Sequence, residues 1–566
     1  MNEWDDTKDF VIVGSGAGAL CSALAARAAG ADVLVIEKQA MLGGNSALSG
    51  GTMWIPGNAL MREEGIADSL EDALKYLDGC VPDAGLATSR ARKLAYLTEG
   101  PKMIDFLRAA GIRMKRVRDY ADYYAELPGA STRGRALQCD FFDLRELGAY
   151  EKHIPNLSPI IGYVEEFPKL ALMLRTWEGF RTFARVAART AWVKARRRPV
   201  VGNGAALMGR LIQAGLKSGI DLWMESPVQD LLLEGSRVAG VKVRHEGREL
   251  AIRARRGVLI ATGGIARNLE MRKRYGRQPA SLEWTFANPG ETGDLVQMAM
   301  RLGAATDLMD DGIWIPMTIT PAGPMYLEYE RGRPHTIIVD GSARRYIDEG
   351  SPYMPFGQVI YERNKEVSAI PSWMIMDSRH RSHYTFGMQR PGHTPEEWFR
   401  SGFMKRANTL EELAVSIGVD PRALAQTVER FNRFAATGID EDFRRGETRY
   451  SRNYGDPRHG PNPALGAIDR PPFYAVSIYP GDLGIFGGIL TDEHARVLRP
   501  DGSLIDGLYA AGNVTAPVTG RIYPCTGASI ASTMIFGFIA ARHALGETGV
   551  QAGDGAPARE AASAAR

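Results

Sequence analysis

Cysteine is scarce in this sequence. Its 566 residues hold four (Cys21, Cys80, Cys139 and Cys525), none in CxxC spacing, which leaves no basis for a zinc ribbon or a disulfide frame and predicts no metal site. A reducing, cytoplasmic setting is expected. Long apolar runs are missing too: no stretch reaches the roughly 20 residues that a membrane-spanning helix needs. The charge excess is small, +3 from 69 basic and 66 acidic residues, and gives no sign of nucleic-acid binding. The opening Met1-Asn2-Glu3-Trp4-Asp5-Asp6 lacks the basic and apolar regions of a secretory signal. Residues 547–566, rich in Ala, Gly and Glu without an apolar period, are expected to be disordered. What remains has an ordinary globular composition, 45% hydrophobic and 24% charged, on a chain too long for one core.

The most informative stretch is Val11-Ile12-Val13-Gly14-Ser15-Gly16-Ala17-Gly18-Ala19, followed by Val33-Leu34-Val35-Ile36-Glu37. It reads as a buried strand, a glycine turn, a helix and a second strand ending in an acid. Gly14 permits the turn, Gly16 lets a diphosphate approach the backbone, and Ala19 is assigned the small position where helix meets strand. The helix N-terminus offers free N–H groups and its positive dipole end to the phosphates. Glu37 is expected to hold ribose hydroxyls and disfavours a 2′-phosphate. An adenine dinucleotide is therefore predicted. The next loop, Gly43-Gly44-Asn45-Ser46-Ala47-Leu48-Ser49-Gly50-Gly51, has almost no bulk and suits a flat ring laid along backbone, so FAD is the expected cofactor. Gly44, Asn45, Ser46, Ser49 and Gly50 are its expected contacts.

Further pieces of the same domain recur downstream. Arg256 to Gly264 reads as a buried strand ending in small residues, and Gly507 to Asn513 as a last strand before an apolar helix, Ala528 to Ala544. Gly263, Gly512 and Asn513 join the cofactor set. The predicted fold class is α/β: a discontinuous Rossmann-like FAD-binding domain (1–303 and 467–546) with an inserted α+β catalytic cap (304–466). Thr409 to Phe434 has the spacing of a helical pair. Residues 150–199 form a basic excursion in which Leu170, Met173, Trp177, Phe180, Phe183, Ala187 and Ala191 recur at helical spacing, with Arg181, Arg185 and Arg189 on another side. Such a helix either lies on an anionic membrane or packs on the body with a solvated face.

Three tyrosine motifs fall in proline or glycine loops: DYYAELPG around Tyr123, SPYMPFG around Tyr353 and IYPCTG around Tyr523. Tyr523 lies between the last strand and its helix, which Gly527 opens. A phenol and a backbone N–H four positions apart make a two-donor pocket for a carbonyl oxygen that becomes an enolate.

In this order, GSGAGAL, GGNSALSGGTMWIPG, DYYAELPG, SPYMPFG, GDLGIFGG, GLYAAGN and YPCTG resemble the flavin-dependent 3-ketosteroid Δ1-dehydrogenases, within the wider fumarate reductase-like flavoproteins. The resemblance implies that Tyr353 removes a proton from steroid C2, that Tyr123 hydrogen-bonds to it, that Tyr523 and the Gly527 N–H polarise the C3 carbonyl, and that hydride passes from C1 to FAD. Asn45-Ser46 has no histidine of the kind that tethers FAD in some related flavoproteins, so noncovalent FAD is expected. A 3-ketosteroid, sterol-type in one version, is the implied substrate, and the electron acceptor is left unidentified. Competing readings are a 3-keto-5α-steroid Δ4-dehydrogenase, a fumarate reductase-type flavoprotein using cations such as Arg344 and Arg345, and a non-catalytic flavin-bearing lipid-binding protein at a membrane surface.

Overall fold

Residues 3–156 and 159–547 are described here from a computed structural model. The tail expected to be disordered lies outside them, except for Glu547.

Short apolar strands buried on both faces can pair only in a sheet covered on both sides, and so they do. Asp6–Val13 lies between Val33–Ile36 and Arg248–Ile260, with Asp221–Trp223 beyond the first and Leu504–Ala510 beyond the second, all parallel. Phe10 to Ile12, Leu34 to Ile36 and Val258 to Ile260 are completely shielded from solvent. An antiparallel hairpin, Val228–Glu234 with Arg237–His245, extends the sheet from Arg248–Ile260, and Arg496–Leu498 closes the far edge. The parallel strands come from widely separated stretches of chain, which makes the cofactor domain discontinuous.

Two helices, Ala17–Ala28 and Ala528–Ala544, cross on this sheet with their backbones in contact. A Cβ on Gly18 would sit 2.4 Å from the Thr533 carbonyl oxygen, and one on Gly537 would sit 2.4 Å from that of Gly18. Gly18 is thus the position of closest approach between the two helices. Ala19 is buried in the core.

The cap is a six-stranded antiparallel sheet ordered Gly323–Tyr326, Gly312–Thr320, Phe473–Ile485, Ser372–Met376, Thr336–Val339, with Met404–Ala407 also on Phe473–Ile485. Its central strand therefore follows residue 466, where the sequence reading ended the cap. The reason is length: Phe473–Ile485, mostly buried over 13 positions, runs from the cap to the cofactor domain, where Ile485 packs on Gly264. The expected helical pair is Leu410–Ile417 and Pro421–Thr437, opened by a Thr409/Glu412 capping box and turned at Gly418 (φ 74°).

In the excursion, the helix Trp177–Ala195 turns Gly179, Thr182, Val186, Thr190 and Val193 toward the body. Of the apolar stripe, for which membrane contact and packing on the body were both left open, Trp177 is 71% exposed, Phe180 48% and Phe183 42%. At Gly179 there is no room even for a Cβ, which would lie 2.4 Å from the Leu172 carbonyl oxygen and 2.9 Å from that of Lys169. Arg175 anchors the segment to the cap through Asp456 (2.6 Å). No helix among the described residues is long and apolar enough to cross a membrane.

Candidate active site

One cavity of about 1090 Å³ runs along the junction of cofactor domain, cap and excursion. Its two ends are built differently. One is backbone and small polar groups: Gly14, Gly16, Glu37, Gly44, Asn45, Ser46, Ser49, Gly50, Gly263, Gly512 and Asn513 all line it, and Ala19 does not. Gly14 adopts φ 108°, and a Cβ there would lie 2.3 Å from the Ala261 carbonyl oxygen; at Gly16, the N-cap, only the Ser46 hydroxyl (3.6 Å) is near. That opening at a helix N-terminus, beside an acid at a strand end, fits a dinucleotide diphosphate and its ribose. The Glu37 carboxylate accepts from Ser15 N–H (3.1 Å), Ser15 Oγ (2.6 Å) and Gln39 N–H (2.9 Å), so it also braces the glycine turn it serves. Residues 44–48, read from the sequence as an open loop, form one helical turn, with Ser46 Oγ accepting the Ala17 N–H (3.1 Å).

The other end is aromatic. Tyr123, Tyr353, Tyr523 and Gly527 all line it, and the three phenol rings lie within 5.6 to 6.2 Å of one another, centroid to centroid. Tyr353 is not in a loop; it is the first residue of the helix Tyr353–Asn364, after Pro352 as N-cap. Tyr123 is held by its backbone N–H on the Pro524 carbonyl (3.0 Å), which ties its loop to that of Tyr523. The Tyr123 hydroxyl donates to that of Tyr353 (3.5 Å). Gly527 caps Ala528–Ala544 with φ 82°, and a Cβ there would meet the Thr52 carbonyl at 2.4 Å. Glycine is required on both counts.

Burial raises all three phenols above the ordinary tyrosine range. Tyr353 and Tyr123 go well above it. Tyr523 is held back by the Ser529 side chain (hydroxyl to hydroxyl, 3.0 Å) and the Ser529 N–H (3.4 Å) in the first turn of the final helix. Behind Tyr123 stands Tyr120, whose hydroxyl shares a hydrogen bond with Tyr454 (3.2 Å), and Tyr454 donates to Glu328 (2.9 Å). Burial raises the Glu328 carboxyl as well, and its side chain reaches the cavity. The sequence reading missed Glu328, Tyr454 and Ser529, which carry no local motif. Tyr120, Tyr326 and Tyr329 also line the cavity, whereas Tyr124, Tyr474 and Tyr479 do not.

Beyond the phenols the lining is apolar: Val164, Phe167, Leu170, Met173, Met325 and Met388 among others. Its cations are Lys38, bonded to Asp294 (2.8 Å), and the exposed Lys194 and Arg390; no histidine lines it among the described residues. Arg345 is buried elsewhere, paired with Glu349 and Asp440 (both 2.8 Å).

The family model for the FAD binding domain matches residues 9–530. The chain is 41% identical to 3-oxosteroid 1-dehydrogenase from Mycobacterium tuberculosis, over 96% of this chain and 99% of that one. It is 33% identical to 4-oxocyclohex-2-ene-1-carboxylate 5-dehydrogenase from Sinomonas cyclohexanicum, over 94% and 93%. The crystal structure of 3-ketosteroid Δ1-dehydrogenase from Sterolibacterium denitrificans, in complex with 1,4-androstadiene-3,17-dione, superposes with a TM-score of 0.89 at 36% identity, covering 96% of this chain and all of that one. The chain belongs to the FAD-binding flavoproteins, and within them to the family of the 3-oxosteroid 1-dehydrogenases.

Proposed function

We propose that this protein introduces the 1,2 double bond into 3-ketosteroids, and the observation that carries the reading is the convergence of Tyr123, Tyr353 and Tyr523 on Gly527 in the cofactor cavity. Bound FAD supplies the acceptor for the hydride that leaves C1. The Tyr523 hydroxyl and the Gly527 N–H donate to the C3 carbonyl oxygen, and a donor of this kind contributes about 3–4 kcal/mol as charge develops there. With that oxygen held, the C2 proton becomes acidic enough for a phenolate. Tyr353 takes it, and the Tyr123 hydroxyl stabilises the charge on Tyr353 beforehand. Burial makes Tyr353 hard to ionise but a strong base once ionised. The proton then has a chain of hydroxyls, Tyr123, its hydrogen-bonding neighbour Tyr120, and Tyr454, leading to Glu328.

The apolar lining beyond the phenols, whose unpaired cations among the described residues are only the exposed Lys194 and Arg390, favours a fused-ring ketone over a single-ring ketone carrying a carboxylate. The same lack of cations, with Arg345 engaged elsewhere, argues against a dicarboxylate substrate. Anaerobic mixing with androst-4-ene-3,17-dione, its 5α-dihydro analogue, 4-oxocyclohexanecarboxylate and fumarate tests this. Bleaching of the flavin by the first alone, with the 1,4-diene as product, is expected. Bleaching only by the cyclic acid or the 5α-steroid would contradict the assignment.

We further infer that the excursion rests on anionic membrane, from which apolar ketones are drawn. The support is the outward apolar stripe of Trp177, Phe180 and Phe183, with Trp192 (48% exposed), flanked by the exposed Arg181, Arg185 and Lys194 and followed by Arg196, Arg197 and Arg198. Phe183, Ala187, Ala191 and Lys194 line the cavity as well, so its mouth opens along this helix.

A further inference from the structure

At the cofactor end of the cavity stands a carboxyl group that no motif announces. Glu291 follows Asn288-Pro289-Gly290 and is 4% exposed. Its Oε1 accepts from the Asn45 amide (2.9 Å), and Asn45 is fixed in turn by the Asn288 N–H (2.5 Å) and the Leu483 carbonyl (3.0 Å). Its other oxygen, Oε2, is buried, lines the cavity with the rest of the side chain, and makes no well-formed hydrogen bond among the described residues, although the Gly264 N–H and the Asn513 amide approach the carboxyl as donors. Gly263 and Gly484 press against the carboxyl: a Cβ on Gly263 would lie 2.5 Å from Oε1, and one on Gly484 3.3 Å from Oε2 and 2.9 Å from the Asn513 amide nitrogen.

The ionised neighbours do not neutralise it. Asp482, held by Arg272 (2.8 Å) and Thr285 (2.7 Å), faces it with like charge. Arg267 is the cation on that side; its guanidinium donates to the Ala287 carbonyl (2.6 and 2.9 Å) rather than to the carboxyl, so its charge lowers Glu291 only through space and by less than burial raises it. Lys38 is bonded to Thr292 and Asp294. The remaining neighbours, the Asn45 and Asn513 amides and the Gly264 N–H, are uncharged donors that favour the ionised form, but less than burial disfavours it. A carboxyl buried without a paired cation is held as the acid, and an acid needs an acceptor for its proton. None of the described residues supplies one to Oε2.

We propose that Glu291 binds FAD as a neutral carboxylic acid, its Oε2–H donating to an acceptor oxygen of the dinucleotide. An anionic carboxylate in the same place would repel the diphosphate and have no proton to give. Burial, then the charge of Asp482, pushes the group up to about 8, so the donor is present at neutral pH and is lost as pH rises through that value.

The test uses the holoenzyme. FAD released on dilution is read by its fluorescence from about pH 7 to about pH 9.5, for the parent, Glu291→Gln and Glu291→Ala. The parent is expected to lose FAD affinity by up to about tenfold per pH unit above the carboxyl's ionisation. Glu291→Gln, whose amide also donates, retains FAD at neutral pH and shows a flat profile. Glu291→Ala releases FAD faster at every pH. Far-ultraviolet circular dichroism of each variant, before dilution, checks that the fold is kept. A parent with no alkaline loss, or a glutamine variant that follows the parent's pH dependence, overturns the proposal. So does a folded glutamine variant that releases FAD at neutral pH as fast as the alanine one.

Discussion

The two ends of one cavity were made by different means. The cofactor end is a product of missing side chains, where Gly14, Gly16, Gly263 and Gly512 let backbone approach the ligand. The substrate end is a product of large ones, three phenols delivered by a loop, a helix start and a second loop from residues 123, 353 and 523. Backbone-built sites tolerate no added atom, whereas side-chain-built sites tolerate the loss of one hydroxyl and fail only in chemistry. Substitutions at the two ends should therefore fail in opposite ways.

The largest expected effect is at the cofactor end. Gly14→Val places branched carbon against the Ala261 carbonyl at a backbone angle that valine avoids, and FAD retention on purification should be abolished along with much of the folded yield. Next comes Tyr353→Phe, expected to bind FAD normally yet lower flavin reduction by a 3-keto-4-ene steroid by at least about 10³, since the proton acceptor is gone. Tyr523→Phe, which leaves the Gly527 N–H in place, should cost about 10²–10³. A pH profile is a gentler probe. Because burial raises Tyr353 and Tyr123 above the ordinary range, the phenolate fraction, and with it the reduction rate, should climb up to about tenfold per pH unit through the neutral and mildly alkaline region. Glu328→Gln should flatten steady-state turnover while leaving the first flavin reduction nearly unchanged, because it interrupts only the onward path of the proton. The smallest effect belongs to the surface: Trp177→Ser/Phe180→Ser/Trp192→Ser should reduce sedimentation with anionic liposomes and leave turnover of a dissolved steroid within about twofold. Undiminished sedimentation would sink the membrane reading.

The same contrast sets what could be read from the chain alone. Glycine turns, the flanking strands and the acid at residue 37 are contiguous, so their meaning survives in linear order, and the final helix was bounded at Ala528–Ala544 from its apolar run. The phenols are far apart in sequence; position before the final helix marked Tyr523, and motif resemblance gave Tyr123 and Tyr353 their roles. Ser529, Tyr454, Glu328 and Glu291 have no such mark, since a single polar residue acquires its role from neighbours brought in by the fold. At Trp177–Ala195 the helical period was legible but its orientation was not. A pattern of apolar residues says that one face avoids water, not whether protein or lipid covers it.

The most direct test of the central claim is anaerobic reduction of the bound flavin by androst-4-ene-3,17-dione, followed side by side in the parent and in Tyr353→Phe at matched FAD content. Rapid bleaching in the parent with an unbleached, fully loaded variant is the expected result. Equal bleaching in both would show that the phenol at 353 is not the group that removes the proton.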